Sequence, residues 1–581
     1  MTSRLGTAAL IATLGLTAGC RANSDAAPES TTTTTTTAID RDLLDVTVPK
    51  LQQLYAEKRY TVTQVVQWHL ARIDRYNAIY GAIETVLTDQ ALQTAAREDA
   101  DASGVHGPLW GVPIVIKANT SVEGEITTAG WSGFTRPGHE LVAPHDATIV
   151  ARLKAAGAII VGLANMPDLA NSDTNRGTSF GRTGNAYDVR FSPGGSSGGI
   201  VTAIATNMAV LGNGTDTGNS IRMPAATSAL VGVYPTRGLV SIAGIAPLDW
   251  LLDNTGRIAR TVGDAAIALA VMQGADSLDP VTLQAPGTAR RASYDSLLAS
   301  GSLKGKRFGV PAFVINGDGV PFHGIPSTVP PAVAERVRTA ANIPLHPDTR
   351  VMFMQAIDAL RAAGAEIVMT DSVLPTSFAR LASRVATYPY MRDGTDQFLS
   401  RFGPAEYHSA AEYLKVVGAP LYTSSIGSED NFRIVGGMRF EQRTLAVDPD
   451  AERLYHGPRR AMMAEYVATL DRLKLDGFVY PAIQMPPPDE TMPQDGALSG
   501  GPHSNTSWVN MIGVPAVVVP AGFYPSGLPF GLEFSARPWA DGELLAITGA
   551  WERAGAWRKS PLLVERGLLN VTPARAARAR R

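Results

Sequence analysis

The sequence predicts an α/β protein built on a mixed, largely buried β-sheet that is flanked by helices. Stretches with the residue spacing of an amphipathic helix alternate along the chain with short apolar runs, which are typical of buried strands. Hydrophobic residues make up 45% of the 581-residue chain and charged residues 18%, which supplies a large core and excludes a disordered chain. The chain shows no internal repeat of the kind that builds solenoids or propellers.

The first helix is predicted over residues 61–77. Thr61 and Gln64 have the spacing of a capping box, and apolar residues recur behind them at helical intervals. Residues 108–116 are predicted to form a turn that leads into a buried strand. Lys117 stands at the end of this strand, where an apolar environment is expected for its amine.

Helix–glycine–strand units follow. Asp146 is predicted to cap a helix that ends at Gly157, and a strand begins at once after it. Residues 352–369 repeat this unit, and further short strands are predicted at 305–310, 478–480 and 514–519. Residues 276–350 are rich in Pro, Gly and Ser, so they are predicted to leave the core. Two interpretations of this segment stay open, a cap over a site and a long surface insertion.

The first 40 residues are predicted to lie outside the folded domain. The apolar run over residues 5–19 is too short to span a bilayer comfortably and is typical of a signal peptide. Residues 16–20 resemble a bacterial lipobox ending at Cys20, which is the only cysteine. The Thr-rich stretch that follows is typical of a flexible tether. The alternative is an ordinary cleaved signal peptide before a disordered start.

These patterns predict four segments: a lipoprotein-type signal peptide over 1–19, a tether over 20–40, one domain over 41–570 and a basic disordered tail over 571–581. The protein is therefore expected to be exported, as a periplasmic or cell-envelope lipoprotein held at the membrane by a lipid on Cys20. The oligomeric state is left open.

The net charge and the spacing of histidines and cysteines argue against nucleic-acid-binding and metal-dependent functions. The net charge of −2 provides no electrostatic footprint for nucleic acid, and the basic residues at the C-terminus are interpreted as a solvated end. The nine histidines have no metal-site spacing, and one cysteine excludes disulfides and cysteine-rich clusters. No metal or cofactor is therefore expected.

The most informative stretch is residues 192–225, where two Gly/Ser-rich loops are separated by a mostly apolar segment. Glycines let a substrate approach the backbone closely, consecutive N–H groups can hold an oxyanion, and serines supply nucleophilic hydroxyls. A phosphate-binding loop is disfavoured because no lysine follows the glycines. Residues 194–198 fit the G-x-S-x-G pattern of a nucleophile elbow, but a polar segment ending in Pro193 precedes them instead of a buried strand. A plain surface loop also stays open.

The paired loops resemble the amidase signature family of serine hydrolases. Its motif runs from G-G-S-S-G-G, here residues 194–199, to G-T-D-x-G-x-S-[IV]-R-x-P, here residues 214–224. Residues 107–119, 181–188, 253–266 and 510–534 are similar to other family segments in the same order. The resemblance covers roughly residues 42–560 and implies a single amidase-signature domain with one large mixed sheet.

The resemblance implies the catalytic residues one by one. Ser220 matches the acyl-forming nucleophile, Ser196 the bridging serine on a cis peptide bond, and Lys117 the catalytic lysine. The backbone amides of four consecutive residues match the oxyanion hole: Thr217, Gly218, Asn219 and Ser220. A serine hydroxyl needs an adjacent base, and a lysine can serve when burial keeps it neutral.

Three further residues are assigned supporting roles. Asp216 and Arg222 are interpreted as a charge-assisted brace for the nucleophile loop, and Ser197 as a hydrogen-bonding support. Asn219 stands where the family most commonly has Gly. Its side chain either crowds the oxyanion hole or adds a donor, and both effects stay open.

The resemblance implies an exported amidase that cleaves a small-molecule amide to an acid and ammonia or an amine. The alternatives are an esterase or carbamate hydrolase using the same site and a non-catalytic binding lipoprotein. The family also includes subunits for tRNA amidation, which the expected export disfavours. The identity of the amide is left open.

Overall fold

The computed structural model describes residues 37–317, 343–382, 384–421, 432–435, 438–491 and 501–561. The predicted signal peptide, most of the tether and the basic tail lie outside these ranges, so they stay predictions. The chain divides into one unit of residues Met1–Asp42 and another of Leu43–Arg581. In the first, the described residues belong mainly to the start of a short helix, Ala38–Leu43. The second contains the elements described below.

Fifteen strands are present in the described residues. Numbered along the chain, they are β1 (Ile83–Val86), β2 (Val112–Lys117), β3 (Ala158–Ala164), β4 (Arg176–Gly177), β5 (Gly181–Arg182), β6 (Leu211–Asp216), β7 (Val231–Tyr234), β8 (Asn254–Ala259), β9 (Arg307–Gly309), β10 (Glu366–Val368), β11 (Phe432–Val435), β12 (Met438–Glu441), β13 (Gly477–Pro481), β14 (Ala516–Phe523) and β15 (Pro529–Ser535).

Eleven of these strands form one sheet in the order β1-β3-β2-β6-β8-β7-β14-β15-β13-β9-β10. β2 runs parallel to β3 and to β6, and β9 runs parallel to β10 and to β13. The strands between these two groups pair antiparallel. β2, β3, β6, β7 and β8 are buried along their whole length. The sequences of β3 and β7 and most of β2 are accordingly apolar or small, whereas β6 and β8 also carry buried polar side chains. The predicted mixed sheet is confirmed.

Helices pack against this sheet. The α-helices are Val48–Ala56, Val62–Tyr80, Thr88–Asp99, Thr148–Ala155, Gly198–Ala205, Arg222–Thr227, Val262–Met272, Asp295–Ser300, Ala312–Asn316, Pro347–Ala362, Thr376–Ala382, Met391–Phe402, Ala410–Val417, Gly457–Leu473, Trp508–Ile512 and Asp541–Ala554. Short 3-10 helices lie at Ser132–Thr135, Asp168–Ala170, Pro280–Gln284, Gly287–Ala289 and Tyr388–Tyr390, and a π-helix at Glu452–His456. Among the described residues, no helix has both the length and the apolar character needed to cross a bilayer.

Local signals placed several elements correctly, although the helix Val48–Ala56 was not predicted. The helix Val62–Tyr80 begins with the predicted capping box, in which Thr61 accepts from the Gln64 backbone and Gln64 from the Thr61 backbone. β2 ends at Lys117, as predicted. The helix–glycine–strand pattern is also present twice, before β3 and before β10.

Two predictions were wrong. Asp146 does not cap the helix Thr148–Ala155, because its carboxylate accepts from the Glu123 backbone N–H and pairs with Lys154 instead. The segment 276–350 does not simply leave the core, since β9 lies within it and joins the central sheet. The strand predicted at 305–310 is confirmed there, and Phe313 and Val314, which follow it, belong to the hydrophobic core.

An unusual feature of the sheet interior is Arg257, on β8. Its side chain is fully buried, and none of its three guanidinium nitrogens has a hydrogen-bond partner among the described residues. Burial lowers the pKa of this guanidinium to about 9. A buried charge without a partner costs several kcal/mol, so Arg257 is expected to destabilise the fold.

We expect Arg257→Met to raise the free energy of unfolding by about 1–4 kcal/mol, because an apolar chain of similar length removes the desolvation cost. Urea unfolding of wild type and variant measures this directly. Arg260→Met is the matched control, since the Arg260 guanidinium donates to the carbonyls of Ile204, Ala209 and Val46. That variant should be destabilised by about 1–3 kcal/mol or more. A less stable Arg257→Met protein would contradict the account.

Candidate active site

The site is centred on Lys117, whose backbone at the end of β2 is held by the side chain of Asn213. The amine is completely buried. Its Nζ lies 2.7 Å from Ser196 Oγ, 3.0 Å from Ser197 Oγ and 2.8 Å from Thr215 Oγ1. These partners are all uncharged hydroxyls, which a neutral amine can satisfy as both donor and acceptor.

Burial lowers the pKa of Lys117 to about 7, although the charges of Asp216 and Asp253 oppose the shift. A free lysine has a pKa of roughly 10.4, so it is almost entirely protonated at neutral pH. In this position about half of the molecules carry a neutral amine at pH 7. The arrangement therefore provides a general base within hydrogen-bond distance of a serine.

Ser196 and Ser197 lie just before the helix Gly198–Ala205 and are both fully buried. The peptide bond between Gly195 and Ser196 is cis. A Cβ on Gly214 would lie 2.7 Å from Ile221 Cγ1 and 3.1 Å from Ser197 Oγ, so a side chain at this position would be crowded from both serine loops. Glycine at position 214 thus allows the first serine loop and the strand before the second loop to approach closely.

The second loop, residues 217–220, connects β6 to the helix Arg222–Thr227. Ser220 is 5% exposed, so its side chain lies at the base of the site with little access to solvent. Asp253 accepts a hydrogen bond from the Thr217 hydroxyl, and the Gly218 carbonyl accepts one from the Arg222 guanidinium at 2.7 Å. These two hydrogen bonds restrain the conformation of residues 217–220.

The side-chain amide of Asn219 already has a hydrogen-bond partner, so it is not a free donor for an oxyanion. Its Nδ2 donates to Asp173 Oδ1 at 3.2 Å, and the residue is 2% exposed. The side chain is therefore committed to a neighbouring carboxylate that the sequence pattern did not reveal.

Arg222 and Asp216 form the brace expected from the motif. Arg222 Nε lies 3.1 Å from Asp216 Oδ2, and both side chains are fully buried. Glu533 on β15 accepts from the other side of the guanidinium at 2.7 Å, and Asn510 also contacts both members of the pair. Tyr480 donates to Glu533. The nucleophile loop is thus attached to two distant strands through one guanidinium.

Opposing effects set the pKa values in this brace. Burial alone would raise the pKa of Asp216, but the charge and hydrogen bonds of Arg222 hold it below its ordinary value. Burial raises the pKa of Glu533 to about 7, with Arg222 acting against the shift. Asp216 therefore carries the negative charge that balances Arg222 at neutral pH.

The structure brings Lys117, Ser196 and Ser197 into direct contact and places residues 217–220 on the adjacent turn. Sequence reasoning missed Thr215 as a partner of the lysine, although it stands inside the recognised motif. It also gave no role to several residues that contact the motif from elsewhere in the chain, although all of them lie in the segments similar to the family: Asn119, Asp253, Asn510 and Glu533. Within the described residues, no cluster of three or more His, Cys, Asp or Glu side chains is arranged to hold a metal.

Comparison with known proteins identifies the family. A family model described as Amidase matches residues 64–320 and 333–545, most of the chain. The chain belongs to this amidase family. Lys117, Ser196 and Ser197 lie within the matched residues.

Relatives in this amidase family differ in their described activities. The chain is 31% identical over 535 residues to a glutamyl-tRNA(Gln) amidotransferase subunit from Symbiobacterium thermophilum, covering 90% of this chain and 99% of that one. The native peptide amidase from Stenotrophomonas maltophilia has a TM-score of 0.69 and 28% identity, covering 89% of this chain and 98% of that structure. A bacterial aryl acylamidase is 22% identical with a TM-score of 0.67, which shows the shared fold.

Proposed function

We propose that this protein is an amidase that hydrolyses the C–N bond of a carboxylic amide through an acyl-enzyme on Ser220. The observation that carries the proposal is the buried Lys117 amine, which lies 2.7 Å from the Ser196 hydroxyl and has a pKa near 7. A lysine neutral at this pH can accept a proton, whereas a salt-bridged lysine cannot. Membership of the amidase family supports the same chemistry.

In the first half of the proposed reaction, Lys117 takes the proton of Ser196, and Ser196 takes the proton of Ser220. Among the described residues, Lys117 bonds to Ser196 and Ser197 rather than to Ser220, so an intermediary is required. The Ser220 oxygen attacks the amide carbonyl, and the backbone amides of residues 217–220 stabilise the oxyanion. One such donor contributes about 10²–10³-fold in rate.

In the second half, the C–N bond breaks as the proton returns through Ser196 to the departing nitrogen, which leaves as ammonia or an amine. Water then attacks the Ser220 ester, again with Lys117 as base, and releases the acid. The brace of Asp216 and Arg222 holds the loop in one conformation during both halves, because the Arg222 guanidinium donates a hydrogen bond to the Gly218 carbonyl. Donors that are already oriented need no reorganisation during the reaction.

A second candidate is an amidotransferase role, favoured by the 31% identity to the Symbiobacterium thermophilum protein over nearly its whole length. Such a role requires ammonia release from an amide donor, which uses the same Ser–Lys chemistry. The similarity to a peptide amidase supports direct hydrolysis instead.

The test is a substrate panel of primary amides, anilides, N-alkyl fatty amides, peptide amides and free glutamine, with ammonia and amines measured as products. We expect turnover of at least one amide class and, by intact-mass spectrometry, an acyl adduct on the peptide that contains Ser220. Ammonia from glutamine alone would favour the amidotransferase role. Hydrolysis of esters or carbamates without any amide turnover would overturn the proposal.

A further inference from the structure

Asp173 lies beside the nucleophile loop and has no role in the proposed reaction. The residue is partly buried, and Ser220, which follows the partner of this carboxylate, is nearly inaccessible. Its Oδ1 accepts the hydrogen bond from Asn219, the residue that immediately precedes the nucleophile. A carboxylate is therefore attached directly to the loop that is proposed to bind the oxyanion.

The backbone around Asp173 packs closely against the first serine loop and against Gly501. A Cβ on Gly195 would lie 2.5 Å from the Ser172 carbonyl oxygen and 2.6 Å from that of Thr174. On the other side, a Cβ on Gly501 would lie 2.4 Å from the Asp173 carbonyl oxygen. Gly195 and Gly501 have no side chains, so the backbone at Asp173 can pack closely against both. This packing gives the Asp173 carboxylate a defined position relative to the reacting groups.

The carboxylate is only partly compensated. Burial raises the pKa of Asp173 to about 6, the charge of His503 and the bond from Asn219 oppose the shift, and Asp216 adds to it. In contrast to Asp216, which binds a guanidinium through both oxygens, Asp173 has a hydrogen bond on Oδ1 but none on Oδ2 from the described residues. The second oxygen is thus available to a ligand.

We propose that Asp173 is a specificity-determining residue that binds an ammonium group on the substrate, close to the scissile carbonyl. The substrate class is an amide that carries a charged amine within a few atoms of its carbonyl, as in an amino-acid amide. The inference rests on the proposed function and adds the substrate class. A charged N–H donor is the best partner for a carboxylate that is fixed and half removed from water.

Asn219 has a defined part in this arrangement. Its amide orients Asp173 by occupying Oδ1, which leaves Oδ2 for the ammonium. A glycine at this position would leave the carboxylate free to rotate. Asn219, which replaces the glycine most common in the motif, and Asp173 therefore act as one functional pair.

The experiment compares phenylalanine amide with 3-phenylpropanamide, which differ only by the α-ammonium, at about pH 7, where that amine is mainly protonated. We expect Asp173→Asn to lower kcat/KM for phenylalanine amide by roughly 10- to 100-fold and to change that for 3-phenylpropanamide by less than about threefold. Asp168→Asn is the matched control. This half-buried carboxylate lies on the same segment but bonds to Thr178, so neither substrate should be affected.

Binding measurements separate this inference from the proposed function. Calorimetry with Ser220→Ala protein should give tighter binding of phenylalanine amide, and Ser220→Ala with Asp173→Asn should remove that preference. Preferential binding without turnover by wild type would overturn the amidase proposal and retain the ammonium site. Equal losses for both amides, or no preference for the ammonium in either turnover or binding, would overturn the role of Asp173.

Discussion

Ser220→Ala should lower kcat/KM for the best amide substrate by roughly 10⁴–10⁶-fold, the loss typical of removing a serine nucleophile. The loss is large because alanine has no oxygen to form the acyl-enzyme, so only the oxyanion donors and substrate binding remain. The measurement is kcat/KM for wild type and variant, with intact-mass spectrometry under the same conditions. The acyl adduct should disappear in the variant.

Ser197→Ala is the matched control for this loss. Ser197 is fully buried and contacts Lys117 directly, at 3.0 Å, but the proposed proton path does not pass through it. Its loss should reduce kcat/KM by no more than about 10²-fold. If Ser220→Ala kept more than about 1% of the wild-type rate, Ser220 would not be the nucleophile. Absence of turnover in the wild type as well, with ligand affinity unchanged in Ser220→Ala, would support the non-catalytic binding alternative.

Local signals accounted for much of the fold. A capping box defines its helix within four residues, and a run of apolar residues ending in Lys117 defines a buried strand without any other part of the chain. The order of strands could not be derived in the same way. β8 lies between β6 and β7 and pairs antiparallel with both, which depends on contacts between distant segments.

The same limit applies to the candidate site. The motif itself carries Asp216 and Arg222, so their pairing was accessible from the sequence. Glu533 is 311 positions away from Arg222, and the similarity of residues 510–534 to a family segment did not show that the two side chains pair. Asp146 shows a prediction that local sequence suggested wrongly. Aspartate is a common capping residue, but this carboxylate pairs with Lys154 and accepts from the Glu123 backbone N–H instead. In both cases the partner that a side chain selects depends on the folded structure rather than on residue type alone.

The pH dependence of kcat/KM should reveal the base. Because protonated Lys117 cannot accept a proton, activity should rise with pH, reach half its maximum near pH 7 and level off above about pH 8. Below the pKa, the neutral fraction falls about tenfold for each pH unit, so kcat/KM at pH 5 should be roughly 100-fold below the plateau. A profile from pH 5 to 9 on a neutral amide measures this.

Lys117→Met should lower kcat/KM by roughly 10²–10⁴-fold and remove the step near pH 7, since methionine fills the space of the lysine stem but accepts no proton. Glu533 needs a control, because burial also raises its pKa to about 7. Glu533→Gln keeps a carbonyl oxygen for Arg222 and should retain the step. The opposite result would be a Glu533→Gln profile without the step and a Lys117→Met residual activity that keeps it. The titrating group would then be Glu533 in the brace, and Lys117 would not be the base.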